Sequence, residues 1–174
     1  MKFQIEPAAE FLSRTPRVVR AMLEGLSDEW IRANEGEDSW SPFDVLGHLN
    51  HGERTDWIPR ARIILEEGEA KTFIPFDRFA QFEESRGKTL DELLDTFEKL
   101  RGENLKTLRS MSLQPEDFER KGVHPELGTV TLGELLATWV THDQDHLVQI
   151  LRTIAKQYKD EVGPWTEYIS VLNR

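Results

Sequence analysis

Three long segments of this 174-residue chain begin with the same helix-start motif, and this constrains the fold more than any other feature of the sequence. In each segment a Ser or Thr is followed three residues later by an Asp or Glu, at Ser41–Asp44, Thr89–Glu92 and Thr131–Glu134. The hydroxyl can accept from a free N–H group of the first turn, and the carboxylate can accept from the N–H of the capping residue. Pro42 stands at the first helical position, where its missing N–H costs nothing. The motif therefore predicts three helix starts.

Apolar residues recur at helical spacing after each start, which predicts three long helices. Their predicted ranges are Pro42–Glu67, Thr89–Met111 and Leu132–Lys159. An earlier helix is predicted with Thr15 as its cap and Pro16 as its first residue, ending near Leu23, and a short helical piece is predicted around residues 7–12. Because Pro59 falls inside the second predicted helix, we expect a kink or a break there.

The sequence predicts an all-α fold, because no segment alternates between polar and apolar residues over more than a few positions. The stretch 121–129 contains two glycines and a proline and is expected to be a loop. Long amphipathic helices in a chain of this length predict a four-helix bundle with short extra helical segments and a long loop before the last long helix. No linker, repeat or low-complexity tract divides the chain, so we expect one domain over residues 1–174.

Composition argues against several classes of function. The chain has 22 basic and 32 acidic side chains, and this net charge of −10 argues against binding to nucleic acid or to an anionic membrane surface. There is no apolar run long enough for a signal peptide or a membrane span, so a cytoplasmic protein is expected. The chain has no cysteine. Any metal must therefore be held by His, Asp or Glu, and any thiol must be supplied by another molecule.

Two of the five histidines, His142 and His146, lie four residues apart and so share one face of the last predicted helix. The apolar stripe of that helix consists of Leu132, Leu135, Leu136, Trp139, Val140, Leu147, Ile150, Leu151 and Ile154. On a helical wheel the two histidines fall at the edge of this stripe, near Leu135 and Trp139, so we expect them to face the bundle interior. The alternative is a pair of separately hydrogen-bonded histidines near a core.

His48 is predicted to be a third inward-facing histidine, on the second predicted helix. Leu46 and Leu49 place the apolar face beside it, and two nearby glycines leave room around its ring. Together with His142 and His146 it would form a three-histidine site, provided that all three lie at the same level of the bundle. Three neutral imidazoles suit Zn, Ni, Fe or Cu, and three protein ligands with one open position are typical of catalytic sites.

The remaining candidate residues have less specific interpretations. His51 competes as a ligand but lies farther from the apolar stripe, which indicates a rim or solvent position, and His124 in the predicted loop is expected at the surface, where it could contact a substrate. Asp143 lies near the centre of the apolar stripe and must be paired or hydrogen-bonded, either to an Arg or to a ligand imidazole; we favour the structural Arg pair. Asp145 is expected in solvent and Asp44 in the helix cap.

Three segments of the sequence resemble the DinB/YfiT-like family of metal-binding four-helix bundles. These are SWSPFDVLGHL, HDQDHLVQI and the closing VGPWTEYISVL, which stand in the family's order and at its separations, so that the resemblance covers nearly the whole chain. By position, the resemblance implies that His48 from the second helix and His142 and His146 from the last long helix hold the metal, with water at the remaining positions. It also implies a dimer. The best-understood members resemble S-transferases that use low-molecular-weight thiols such as bacillithiol, mycothiol or glutathione, although many relatives have no assigned reaction.

The leading functional hypothesis is therefore a metal-dependent S-transferase that acts on a small-molecule substrate and activates an exogenous thiol. Zn and Ni are the first candidates for the metal, and Fe and Mn are further candidates. The second hypothesis is a metal-dependent hydrolase with bound water as the nucleophile. The third is a non-catalytic metal-binding or small-ligand-binding protein, which a fourth protein ligand such as His51 would favour. The simplest alternative is that no metal binds. No acid or base is identified, and a homodimer is expected from the resemblance alone.

Overall fold

The computed structural model describes residues 3–173 and is mostly helical. Within these residues the chain forms eight α-helices and one two-stranded sheet. The helices are α1 (Ile5–Leu12), α2 (Thr15–Leu23), α3 (Asp28–Ile31), α4 (Pro42–Thr55), α5 (Trp57–Glu66), α6 (Ala80–Glu84), α7 (Leu90–Ser110) and α8 (Leu132–Lys156). The strands are β1 (Lys121–His124) and β2 (Gly128–Thr131). Short 3-10 turns occupy residues 68–70, 115–119, 163–168 and 170–173.

Four helical segments form the predicted bundle. The first is α1 followed by α2, the second is α4 followed by α5, and the third and fourth are α7 and α8. The second segment packs on both of the last two, since α4 contacts α7 and α8, and α5 contacts α8. The first segment closes the bundle through α1 against α8 and α2 against α7. The fold is thus the all-α four-helix bundle that the sequence predicts.

The three predicted helix starts are confirmed, and each capping bond is reciprocated. In α8, for example, the backbone N–H of Glu134 donates to Thr131 Oγ1 over 3.1 Å, and the N–H of Thr131 donates to Glu134 Oε2 over 2.7 Å. The prediction for α2 was wrong in one detail. Thr15 lies inside the helix, and Arg14 occupies the cap position without a capping side-chain bond. The Thr15 hydroxyl is buried and has no hydrogen-bond partner among residues 3–173.

The predicted helix Pro42–Glu67 is interrupted, as expected from its internal proline. The break lies at Asp56, between α4 and α5, three residues before Pro59. Proline lacks the N–H that would bond to the carbonyl of the residue four positions earlier, and its ring clashes with that carbonyl. That residue is Thr55, the last of α4, so the break falls where the clash would occur.

The segment 121–129 is not the loop that the sequence predicts. Strands β1 and β2 pair antiparallel there, with Lys121 opposite Thr131. A more distant segment adds to this hairpin, because the N–H of Phe73 donates to the carbonyl of Val123 over 2.9 Å. Gly122 allows this packing, since a Cβ at that position would lie 2.7 Å from Ile64 Cγ1. Contacts some fifty residues away in sequence thus stabilise strands whose local pattern is too short to detect.

Two apolar clusters fill the bundle, one towards each end. The first joins α1 and α5 to the C-terminal half of α7 and the N-terminal half of α8; it includes Leu12, Trp57, Ile64, Leu108, Leu132 and Trp139. The second joins α2 and α4 to the opposite halves of α7 and α8; it includes Val19, Leu46, Leu49, Phe97 and Ile150. On α4, α7 and α8, one buried charged residue of each helix stands between the two clusters. We call Glu53, Arg101 and Asp143 the ion layer.

The ion layer is an internal salt-bridge network. Asp143 is completely buried and receives two bonds from Arg101, over 2.6 and 2.8 Å. Arg101 also donates to Glu53 Oε1 over 2.8 Å and to the carbonyl of Leu12 over 2.8 Å. Glu53 accepts a further bond from the indole N–H of Trp139 over 3.0 Å. Asp143, the carboxylate in the apolar stripe, therefore has the Arg partner that the sequence predicts, and its role is structural.

Among residues 3–173, none of the helices combines the length and the apolar character needed to cross a membrane.

Candidate metal centre

Three histidine side chains converge between α4 and α8. His142 Nε2 lies 3.2 Å from His48 Nε2 and 3.1 Å from His146 Nε2. One ring nitrogen from each of the three residues falls within 4.8 Å of the others, and among residues 3–173 this is the one group of three or more His, Cys, Asp or Glu side chains placed to hold a metal ion. The structure thus brings together the three histidines that the sequence selects.

Helix geometry and aromatic packing position the three rings. His142 and His146 are one turn apart on α8, and their ring centres are 4.3 Å apart. The edge of Trp57 packs against His142 at 5.1 Å between ring centres. Trp40 and Phe76 pack against His48 at 4.8 and 5.3 Å. Aromatic side chains thus hold the rings of His48 and His142, whereas the ring of His146 is held by a hydrogen bond to Gln149.

Burial keeps the three imidazoles neutral. Desolvation is the largest cause, and repulsion from neighbouring histidines in their charged form is the next. Together they lower the pKa of His48 to about 3 and that of His142 to about 2. Desolvation also lowers the pKa of His146. Its Nδ1 lies 2.8 Å from the side-chain oxygen of Gln149, which can only accept, so Nδ1 carries the proton and Nε2 presents a lone pair to the cluster. These are the protonation states that metal binding requires.

The residues fit a divalent transition metal. Metal–nitrogen bonds of about 2.1 Å place two ligand nitrogens about 3.0 Å apart at a right angle and about 3.4 Å apart at a tetrahedral angle. The contacts of 3.2 and 3.1 Å between the histidine nitrogens fall within this range. Nitrogen lone pairs that face one another repel, whereas a cation between them would satisfy all three. The Nδ1 atoms of His48 and His142 are buried without a partner among residues 3–173, so neither has the second hydrogen bond that usually orients a ligand imidazole.

The three histidines lie on the wall of an open pocket of about 440 Å³. Aromatic, acidic and basic groups line the rest of it: Trp40, Asp56, Arg60, Phe76, Arg78, His124 and Glu126, together with Gly52 and Pro125. Such a pocket leaves room beside the histidine nitrogens for a small molecule. Phe76 and Arg78 were not predictable as pocket residues, because both belong to an irregular segment between α5 and α6.

His51 does not lie at the rim, and that prediction was wrong. Its side chain is buried, and its Nδ1 bonds to Glu84 Oε1 over 2.8 Å. The same carboxylate accepts a bond from Arg54 over 2.7 Å. Glu84 belongs to the short helix α6, which packs on α4 and covers a face that the helical wheel assigns to solvent. His51 therefore belongs to a separate polar contact and adds no nitrogen to the cluster.

The other predicted side chains keep their expected surroundings, with one refinement. Asp44 serves the cap of α4, and Asp145 is exposed. His124 is half-buried at the mouth of the pocket, on β1 rather than in a loop, and its Nδ1 accepts the backbone N–H groups of Glu126 and Leu127 over 3.2 Å each. The sequence-based expectation that His124 could contact a substrate is compatible with this position.

Two known proteins are similar to this chain, one in sequence and one in fold. A protein of Oceanobacillus iheyensis, provisionally named a metal-dependent hydrolase, is 25% identical over 136 residues, which cover 78% of this chain and 77% of that protein. The solved structure of YfiT from Bacillus subtilis, described as a probable metal-dependent hydrolase with an unusual four-helix bundle topology, superposes with a TM-score of 0.74 at 24% identity, covering 87% of this chain and 86% of that one. The DinB superfamily model matches residues 12–150. Because that range covers most of the chain and includes all three clustered histidines, the chain belongs to the DinB superfamily.

Proposed function

We propose that this protein is a metal-dependent S-transferase, in which His48, His142 and His146 hold a divalent cation that activates a low-molecular-weight thiol. The convergence of three neutral imidazoles on the wall of an open pocket is the observation that carries the proposal. Among the metals that accept imidazole, Zn and Ni are our first candidates. The two relatives described above support metal dependence through their names.

When bound, the cation would keep its full positive charge, because its three ligands are neutral, and would favour the thiolate form of a thiol. The other groups of the pocket would position the second reactant. Trp40 and Phe76 pack on His48 and offer apolar surface to an organic electrophile. Since the chain has no cysteine, the nucleophilic sulfur must come from a small molecule.

Hydrolysis is the second candidate, and one feature of the pocket favours it. Asp56 lines the pocket, and desolvation raises its pKa to about 6 despite the opposing effect of Arg60. A carboxyl group with such a pKa can take up or release a proton near neutral pH, as a general base or acid for an attacking water would. The names of both relatives point in the same direction.

Metal content is the first test of the proposal. Untagged wild-type protein, His142→Ala and the control variant His124→Ala are purified in parallel and compared by elemental analysis. His142→Ala removes the nitrogen that lies 3.1–3.2 Å from the other two, so its metal content should fall well below that of the wild type. His124→Ala should retain its metal. Equal metal content in all three proteins would refute the metal site.

Turnover assays separate the two reactions. Metal-loaded protein is incubated with a chloro-dinitro-arene and a panel of thiols, and separately with ester and amide substrates without thiol. Turnover that requires a thiol supports the transferase, whereas thiol-independent cleavage supports the hydrolase. A fully metal-loaded protein that is inactive in both assays, beside an active relative as control, would count against an enzyme and favour a metal-binding protein.

A further inference from the structure

Arg78 is an exposed arginine at the mouth of the metal pocket, and no carboxylate of the described residues pairs with it. Among residues 3–173, no Asp or Glu oxygen lies within the 4 Å that defines a salt bridge to it, although the chain is rich in acidic groups. Its guanidinium carbon lies 5.5 Å from the ring centre of Trp40 and 5.8 Å from that of Phe79. Two aromatic rings thus contact a cation whose hydrogen-bonding groups have no acidic partner in the described part of the chain.

Arg78 is close enough to the histidines to act on the same small molecule. Trp40, which contacts its guanidinium group, lies 4.8 Å from the ring centre of His48. Together with the 5.5 Å contact, this places the guanidinium carbon no more than about 10 Å from the His48 ring centre. Arg78 and all three histidines line one pocket. A molecule only a few bonds long can span that distance.

The other charged groups of the pocket leave Arg78 as its available cation. Arg60 is buried, and its Nε lies 2.5 Å from Asp56 Oδ1, so these two charges offset each other. Glu126, on the hairpin, is exposed and has no cation within 4 Å among the residues that the structure describes. The mouth therefore carries one unpaired positive group and one unpaired negative group.

We infer that Arg78 forms an anion-binding subsite that recognises the carboxylate of a small substrate whose reacting group lies at the histidine cluster. The planar fork of a guanidinium group matches the two oxygens of a carboxylate, and a ring on its face leaves its edge free to donate. Glu126 repels the same anion and limits its affinity. The assignment of a reacting group rests on the proposed function, whereas binding of the carboxylate to Arg78 does not require a metal.

The first experiment uses metal-free protein and a matched pair of probes, acetate and acetamide, at constant ionic strength. The Nε–H resonance of Arg78 is assigned by its absence in Arg78→Gln and followed by NMR during titration. Acetate should shift it saturably, and acetamide should not. Glu126→Gln should bind acetate several-fold more tightly, because it removes the opposing charge. A resonance that acetate does not shift saturably, or an affinity unchanged in Glu126→Gln, would overturn the subsite.

The second experiment tests recognition at the loaded site with two thiols that differ in one group. Cobalt-loaded protein is titrated with 3-mercaptopropionate or with 2-mercaptoethanol, and thiolate-to-cobalt charge-transfer absorption reports sulfur binding. Arg78→Gln should weaken binding of mercaptopropionate about tenfold, the size of one hydrogen bond between charged groups, and leave mercaptoethanol nearly unchanged. Arg62→Gln, a control at an exposed arginine outside the pocket, should change neither affinity.

The two experiments distinguish failure of the subsite from failure of the proposed function. If Arg78→Gln weakens the binding of both thiols equally, or of neither thiol, then Arg78 does not recognise the carboxylate and the inference is wrong. If neither thiol produces the absorption with wild-type protein, the thiol-based function is wrong. In that case the acetate titration still decides whether Arg78 binds a carboxylate.

Discussion

Replacing Arg101 with methionine should destabilise this protein more than any surface substitution. Arg101 and Asp143 are at most 1% exposed, and Arg101 holds both Asp143 and Glu53. Removing one partner of a buried ion pair costs about 3–5 kcal/mol, because the remaining charge stays buried without compensation. Here two carboxylates lose a partner, although Glu53 keeps donors from Trp139 and Asn104. We therefore expect Arg101→Met to lower the free energy of unfolding by about 5 kcal/mol, the upper part of that range.

Urea and thermal unfolding, followed by circular dichroism in the presence of a chelator, measure this loss without a contribution from bound metal. For a protein of this size, 5 kcal/mol corresponds to a fall in Tm of about 10–20 °C. The control is Arg14→Met, which breaks the exposed pair of Arg14 and Glu10, with side chains 68% and 66% exposed, and should cost less than about 1 kcal/mol.

A triple variant separates the loss of a partner from a general intolerance of the site. Arg101→Met combined with Asp143→Leu and Glu53→Gln replaces the charges of the ion layer together, and should recover most of the lost stability because no buried charge remains. Our reasoning is refuted if Arg101→Met is no worse than the surface control. It is equally refuted if the triple variant is less stable than Arg101→Met alone.

Three further predictions test other parts of the fold, each by urea unfolding. Gly47→Ala should lower the free energy of unfolding by about 1–2 kcal/mol, because the new Cβ would lie 2.5 Å from Ser85 Oγ. Gly102→Ala should raise it by about 0.5–1 kcal/mol, because the space around Gly102 in α7 is open. Equal effects of the two substitutions would contradict this prediction. Thr131→Ala should cost about 1 kcal/mol by removing the cap of α8, and an unchanged midpoint would contradict it. In metal-free protein, burial lowers the pKa of His48 from 6.5 to about 3, so this histidine takes up a proton at a higher pH in the unfolded state than in the folded one. The free energy of unfolding should therefore fall as the pH drops from about 6.5 towards 3. His48→Gln should reduce that dependence; an identical pH profile would argue against it.

The helices were predictable because their starts depend on neighbouring residues. The hydroxyl and carboxylate of each capping box lie three positions apart, and Pro59 acts on a carbonyl four residues before it, so a short stretch of sequence contains the whole interaction. The hairpin was not predictable in this way. Its strands are four residues long, and a hydrogen bond to Phe73, far away in the sequence, supports them.

The histidine cluster was predictable in its members but not in its surroundings. Spacing on α8 places His142 and His146 on one face, and the apolar face of α4 places His48 opposite. What covers these helices depends on the path of the intervening segments. Glu84 on α6 contacts His51 and helps to bury it, and Arg78 reaches the pocket from an irregular segment. A helical wheel predicts neither the burial of His51 nor the place of Arg78 in the pocket. The position of Asp143 in the apolar stripe predicted that its carboxylate would have a partner, but it did not identify Arg101 as that partner.

The ion layer also has a consequence for the height of α8 in the bundle. Asp143 directly follows His142, so its bonds to Arg101 fix α8 against α7 within a residue of the histidine cluster. A slip of α8 by one helical turn would be a displacement of about 5.4 Å. It would separate Asp143 from Arg101 and carry His142 and His146 off the level of His48. Asp143 and Arg101 lie outside the histidine cluster, yet their ion pair fixes the position of α8 along the bundle axis, and the spacing of the three imidazoles depends on that position.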